Sequence, residues 1–210
     1  MKRFFLLCVV AVCGVLALTA LSGGFMATAQ TQQDGHTYHI TLTVHQLVRI
    51  DQLDPSQYAS SQEYQTWAYS TCSTAALAEV FNSYGRSYRI HDVLLVQARI
   101  GEITPELGLV EDVGIARTAA TFGFKTSWGY SLSYDQVVAT ANHGTPVIVG
   151  WPPSRYPGGH LVVITGGNAQ MVRIADSSRY DRSSVSRTQF MRWWAGFSAI
   201  ITPSAQGGQS

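Results

Sequence analysis

The sequence predicts an α+β fold in which helices come first along the chain and an antiparallel sheet follows. Apolar residues recur at helical spacing between residues 72 and 142, whereas short apolar runs separated by turns dominate residues 146–202. The 210 residues are 46% hydrophobic and 13% charged, which suits one domain with a real core and excludes wholesale disorder. A net charge of +1 without a basic run argues against nucleic acid as a partner.

The first 29 residues predict an export signal. Lys2 and Arg3 precede a nearly unbroken apolar run over residues 4–21, and the small residues of 27–29 resemble a signal-peptidase site. An uncleaved membrane anchor is the alternative, because this run approaches the ~20 residues needed to span a bilayer. Both alternatives predict an exported protein, either secreted or attached through residues 4–21 to the outer face of the cytoplasmic membrane.

Residues 30–60 predict a strand and linkers ahead of the main domain. Residues 30–36 are polar, residues 36–50 alternate apolar and polar as a strand does, and residues 51–66 resemble a loop. The main domain is expected over residues 61–203, and residues 204–210 form a small, polar tail that we expect to be flexible.

Within the main domain, a helix is expected to begin at Cys72 and to end at Gly85. Further helices are expected over 92–99 and 109–122, and two capping boxes open a helix at Ser133 and another at Ser186. The predicted strands cover residues 124–128, 146–151, 160–165, 171–175 and 197–202, with residues 166–170 as a hairpin turn.

Cys72 is the first candidate for chemistry. Cys8 and Cys13 lie in the predicted signal, so Cys72 is the only cysteine beyond it and cannot form an internal disulfide. A position at a helix N-terminus stabilises the thiolate, which is the reactive form of the side chain. The alternative is a small, inert residue of the core.

A thiol nucleophile requires a base, and His160 is the best placed of the histidines because it follows a flexible loop and starts a buried strand. If residues 166–170 form the turn, Thr165 faces Met171 and His160 faces Asp176, with their Cβ atoms about 4.5–5.5 Å apart. Asp176 could then accept the Nδ1 proton of the ring and orient it. The alternative is that Asp176 only caps the turn after the strand.

The last requirement is a pair of donors for the oxyanion of the transition state. The backbone amide of Cys72 can supply one, and a side-chain amide just upstream could supply the second. Gln65 and Gln62 are the candidates, although either could be an ordinary loop glutamine.

Four segments in the correct order resemble cysteine peptidase family 39, a papain-like family known for trimming double-glycine leaders from bacteriocins. Residues 65–80 and 82–85 resemble its nucleophile helix, residues 144–149 its Gly-x-Pro-Val-Ile strand, residues 159–166 its histidine motif and residues 174–176 its Asp/Asn motif. The likeness extends from about 62 to 202.

The resemblance implies a papain-like fold and thiol-dependent hydrolysis of peptides, with peptide or protein substrates. By position it assigns Cys72 as nucleophile, His160 as base, Asp176 as orienting residue and Gln65 as oxyanion donor. The chain departs from the family in having Ser73 where glycine usually follows the cysteine, and Gln65 lies one residue further upstream than usual.

Two other functions stay open: a papain-like cell-wall amidase or acyltransferase, and an exported binding domain without activity. The Cys-Ser pair also resembles NlpC-type wall hydrolases, and the tryptophans could line a ligand groove. No cofactor and no metal are expected, because the histidines lack the spacing of zinc ligands.

Overall fold

The computed structural model describes the backbone of residues 25–33, 36–44 and 46–204, and the side chains of residues 46–204. Its helices are α1 Ser61–Trp67, α2 Cys72–Ser83, α3 Ile90–Arg99, α4 Gly114–Thr121, α5 Tyr134–Asn142 and α6 Arg187–Trp193, with a 3-10 turn at Pro55–Gln57. Its strands are β1 Phe25–Gln33, β2 His36–Val44, β3 Ile103–Thr104, β4 Gly108–Leu109, β5 Phe124–Gly129, β6 Val147–Trp151, β7 His160–Gly167, β8 Met171–Ala175, β9 Ser184–Ser186 and β10 Ser198–Pro203.

A six-stranded antiparallel sheet forms the centre of the domain, with the strand order β5-β10-β6-β7-β8-β9. Successive side chains of β6 and β7 point to opposite faces of the sheet. Ile148 and Val163 therefore belong to one hydrophobic core, while their neighbours belong to a second core on the other face: Val147, Val149, Val162 and Ile164. The predicted α+β class is confirmed, with helices on both faces of the sheet.

Helix α2 packs on the first of these faces and is buried along almost its whole length. Leu77, Val80 and Phe81 are 0% exposed, and small alanines between them let the helix approach the sheet closely. Gly85, in the left-handed region with φ of 85°, ends this helix as predicted. The first residue of α2 is thus fixed against the sheet by the packing of the turns that follow it.

The opposite face is covered by α5 and α6. Val137 and Ala141 of α5 and Phe190 of α6 pack into the second core. Both helices start at the predicted capping serines, whose hydroxyls accept hydrogen bonds from the amides of Gln136 and Gln189.

Several predicted boundaries were wrong. Residues 51–66, predicted as loop, contain most of α1, and the helix predicted over 109–122 begins only at Gly114 because Leu109 pairs with Ile103 in a small β-ladder. The short strand β9 was not predicted.

Most of the predicted signal and of the predicted tail lies outside the described residues. Residues 1–24 of the predicted signal and residues 205–210 of the predicted tail lie outside the described residues. Residues 25–29 belong to β1, which pairs with β2 from Phe25–Val44 to Gln33–His36. None of the described helices combines the length and the apolar character needed to cross a membrane.

Candidate active site

Cys72 is the first residue of α2, as the sequence predicted, and it is partly exposed. The preceding residue, Thr71, gives no side-chain cap, because its hydroxyl lies 2.8 Å from the hydroxyl of Tyr58. The first amides of a helix have no partner within the helix, and they carry the positive end of its dipole. The sulfur of Cys72 therefore sits where a negative charge is stabilised.

His160 is the first residue of β7 and pairs with Trp151 across the sheet. It follows a loop in which Gly158 and Gly159 adopt left-handed conformations, with φ of 81° and 69°. Such angles favour glycine, so these residues allow the chain to turn into the strand. The His160 side chain is 7% exposed, and its Nε2 donates to Oδ1 of Asp176 over 2.8 Å.

The structure brings His160 and Asp176 together by a different register from the one predicted. Val163 pairs with Ala175, and continuing this register places Val162 opposite Asp176. The error arises at the turn, because β7 continues through Gly166 and Gly167 and a bulge follows Ile164. The net displacement is two residues, which keeps both side chains on the same face and lets them meet diagonally.

The hydrogen-bonding nitrogen also differs from the prediction. Nε2 of His160 contacts Asp176, whereas we expected Nδ1 to do so. The other nitrogen, Nδ1, is consequently the one left to exchange a proton with a partner outside this pair.

The electrostatics of the three side chains favour an ion pair. Burial alone would raise the pKa of Cys72, but its hydrogen bond and charge interaction with His160 lower that pKa below the ordinary thiol value. Burial opposes the charged form of His160 as well, but the hydrogen bonds with Asp176 and Cys72 raise its pKa to about 9. These two shifts favour a thiolate on Cys72 beside a protonated His160.

Asp176 is the negatively charged partner of the His160 ring. Its side chain is 0% exposed, and burial by itself would raise its pKa. The hydrogen bond from His160 and those from Ser178 outweigh burial and hold the pKa well below its usual range. The carboxylate therefore stays ionised and stabilises the imidazolium.

Cys72 and His160 share a cavity of about 480 Å³. Its walls come from several segments, among them the chain around Cys72, the β3–β4 hairpin and the loop before His160. The lining residues include Gln52, Tyr69, Leu107, Asp112, Tyr130, Pro153 and Gly159. The sulfur is thus reachable by a ligand instead of being sealed in the core.

Neither predicted oxyanion donor is among the residues that line this cavity. Gln65 and Gln62 lie on α1, and both are exposed. Gln52, predicted only as part of a loop, lines the cavity and is 6% exposed. Its Nε2 donates to the Ala68 carbonyl over 2.8 Å, and its Oε1 accepts from Ser177 over 2.9 Å.

Residues 49–52 form hydrogen bonds with α2 and with the chain that follows β8. The guanidinium of Arg49 donates to the carbonyls of Asp176 and Ser178 over 2.6 and 2.8 Å, and the amide of Ile50 donates to buried Glu79 over 2.8 Å. Desolvation raises the pKa of Glu79 to about 8, although the Ile50 amide and Arg49 act in the opposite direction. This segment therefore connects α2 with the chain after β8.

A second arginine, Arg182, lies in the chain between β8 and β9 and contacts the carboxylate of Asp176. Its Nη1 nitrogen lies 3.1 Å from Oδ2 of Asp176 and 3.2 Å from the hydroxyl of Tyr156. Nothing in the local sequence distinguishes Arg182 from its neighbour Arg179. Within the described residues, no three His, Cys, Asp or Glu side chains converge as metal ligands would.

Comparison with known proteins matches the same part of the chain. A family model described as "Peptidase_C39 like family" matches residues 46–200. The peptidase domain of Streptococcus ComA, a bifunctional ABC transporter, is 22% identical, with 64% of this chain and 93% of that chain covered and a TM-score of 0.54. A structure described as a C39-like peptidase from Bacillus anthracis is 13% identical, with 76% and 96% covered and a TM-score of 0.54.

No curated protein matches the chain significantly. At these levels of identity, the two solved structures share the fold of this chain. The family match and the fold together cover the helices and strands that carry Cys72, His160 and Asp176.

The ion pair predicts how fast Cys72 reacts with iodoacetamide. We expect the labelling rate to reach half its maximum at a pH below the ordinary thiol pKa of about 8.5, because His160 stabilises the thiolate. His160→Ala should move this midpoint upward. Mass spectrometry of the peptide containing Cys72 measures the rate separately from Cys8 and Cys13, and a midpoint of 8.5 or higher in the unaltered protein would contradict the ion pair.

Proposed function

This chain belongs to the Peptidase_C39-like family, and we propose on that premise that it hydrolyses peptide bonds through Cys72, His160 and Asp176. The observation that supports the proposal most directly is the row of interactions from the thiol to the ring and from the ring to a fully buried carboxylate, at the wall of an open cavity. Family membership supports a cysteine peptidase. The three side chains supply the thiol nucleophile, the base and the orienting carboxylate that such an enzyme needs.

In the proposed reaction, the thiolate of Cys72 attacks the carbonyl carbon of the scissile peptide bond, and the carbonyl π electrons move to oxygen. The oxyanion then re-forms the carbonyl as the C–N bond breaks, protonated His160 gives its Nδ1 proton to the departing amine, and a thioester is left on Cys72. Neutral His160 next takes a proton from water, and the hydroxide attacks the thioester to form a second oxyanion. This oxyanion re-forms the carbonyl as the C–S bond breaks, which releases the acid and the thiolate.

Asp176 holds the ring of His160 in the orientation that this sequence of proton transfers requires. Its hydrogen bond to Nε2 fixes the tautomer, leaves Nδ1 for the sulfur and the substrate, and stabilises the charged ring. The carboxylate does not need to accept the proton itself.

For the oxyanion we propose Gln52 instead of Gln65 as the side-chain donor, together with the amide of Cys72. Gln52 is buried at the cavity wall, and only one of its two Nε2 protons is needed for the bond to Ala68. Its amide is held by contacts on both sides, so the second N–H is oriented before substrate binds. Gln65, exposed on α1, has no such support.

We also propose that the enzyme acts outside the cytoplasm, because the apolar run of residues 4–21 and the small residues before Gln30 suit an export signal. N-terminal sequencing of the exported protein should begin at Gln30. Recovery of the intact chain in the membrane fraction would favour an anchor, and recovery of the intact chain in the cytosol would contradict export.

Cleavage of casein tests the reaction. Cys72→Ala and His160→Ala should each lower the rate by about 10³-fold or more, because each removes an indispensable part of one unit. His143→Ala is the matched control, since His143 is exposed and should leave the rate unchanged. Release of muropeptides from peptidoglycan with no casein products would instead favour a cell-wall amidase, and no product from either substrate would favour a binding domain.

Gln52→Ala and Gln65→Ala distinguish the two oxyanion donors. We expect Gln52→Ala to lower kcat by roughly 10²-fold to 10³-fold, whereas Gln65→Ala should stay within about twofold because its side chain is solvated. The alkylation midpoint of Cys72 in each variant verifies that the thiol and ring are still in place. A large loss with Gln65→Ala and none with Gln52→Ala would reverse the assignment.

A further inference from the structure

We propose that Arg182 is a positioning residue for this site: it holds one oxygen of Asp176 so that the other stays directed at His160, and it fixes Tyr156 beside the ring. The inference rests on the proposed function, to which it adds a residue that touches neither the substrate nor the sulfur. It is carried by the contacts that Arg182 makes with two side chains next to His160.

The two oxygens of Asp176 have separate partners. Oδ1 accepts from Nε2 of His160 over 2.8 Å and from the amide of Ser178 over 3.0 Å, while Oδ2 accepts from Arg182 over 3.1 Å. A buried carboxylate needs partners for both oxygens, because water cannot reach it to supply them. Arg182 thereby fixes the rotation of the carboxylate about its Cβ–Cγ bond.

The same guanidinium nitrogen also fixes the loop before β7. It donates to the hydroxyl of Tyr156 over 3.2 Å, and the Tyr156 ring lies 6.1 Å from the His160 ring at an angle of 26°. Trp193 meets Tyr156 edge-on, with ring centroids 5.1 Å apart. These rings help to keep water from the bond between His160 and Asp176, which strengthens it electrostatically.

Arg182 is itself held in place. Its guanidinium carbon lies 4.3 Å from the ring centroid of Tyr180 and 5.4 Å from that of Trp193, and its side chain is 25% exposed. Aromatic rings on a guanidinium stabilise the cation without taking its donors away from the carboxylate.

Three other charged or titratable groups lie close to the pair of His160 and Asp176: Cys72 and Glu79 from α2, and Arg49. Arg49 differs from Arg182 because it binds the backbone carbonyl of Asp176 and pairs with Asp181 at 2.8 Å. Arg182 is the arginine that contacts the carboxylate of Asp176 directly.

Loss of Arg182 has one predictable direction for Cys72. A carboxylate that can rotate away stabilises protonated His160 less, and a less stable imidazolium in turn stabilises the thiolate less. The loss therefore raises the pKa of the thiol. The alkylation midpoint of Cys72 therefore reports on Arg182 without any need for peptidase activity.

The experiment compares the pH dependence of iodoacetamide labelling of Cys72 in the unaltered protein, Arg182→Met, Arg182→Lys and Arg179→Met. We expect Arg182→Met to raise the midpoint by about one pH unit, which lowers the labelling rate below the midpoint by about tenfold. Arg182→Lys keeps the positive charge, but its shorter side chain can reach only one of the two partners, Asp176 or Tyr156. Its midpoint should therefore lie between those of the unaltered protein and Arg182→Met. Arg179 is exposed and stacks only on Tyr180, so Arg179→Met should have the midpoint of the unaltered protein.

If the labelling midpoint is low in the unaltered protein and equally low in Arg182→Met, the role of Arg182 is overturned and the proposed function stands. An ordinary midpoint in the unaltered protein would overturn both. If Arg182→Met does not fold, the comparison between Arg182→Lys and the unaltered protein decides the matter, and identical midpoints would overturn the proposal.

Discussion

The hydrogen bond between His160 and Asp176 is the interaction on which the site depends. It joins two side chains that are almost completely buried, one of them a carboxylate with no exposed surface. Removing such a charge from water is costly, and the site offsets this cost with three donors on the carboxylate: His160, Ser178 and Arg182. The result is a ring that holds its proton to an unusually high pH and a thiol that loses its proton at an unusually low one.

The scaffold around this bond comes from parts of the chain that are far apart in sequence. Packing against the sheet fixes the start of α2, and β7 supplies His160 at its first residue. The segment of residues 49–52 connects α2 to the chain after β8, where the backbone amide of Gln52 donates to the carbonyl of Ser177 over 2.9 Å. Buried Glu79 secures this segment from the side of the helix by accepting from Ile50.

Local sequence made the positions of Cys72, His160 and Asp176 in the fold predictable, because a helix start, a strand start and a strand end can each be found from nearby residues. The pairing of His160 with Asp176 was predicted in the wrong register, since Gly166 and Gly167 resemble a turn but continue the strand beside a bulge. The two-residue displacement preserved the face, so the two side chains still met.

Long-range contacts explain why Gln52 and Arg182 were not predicted as site residues. Gln52 is defined by Ser177, 125 residues away, and Arg182 by aromatic rings from three segments, which no local pattern encodes. Helix α1 was missed for another reason. Its polar residues suggested a loop, although Ser60 and Glu63 form the cap that could have revealed it, the hydroxyl of Ser60 accepting from the Glu63 amide.

The position of β10 has a consequence for how the protein is made. This strand is the last in sequence of those the structure describes, yet it lies inside the sheet, between β5 and β6. While the ribosome is still adding residues before 203, the sheet is split and β6 lacks its neighbour on that side. A growing chain therefore cannot complete the sheet on which α2 packs until synthesis has passed this strand.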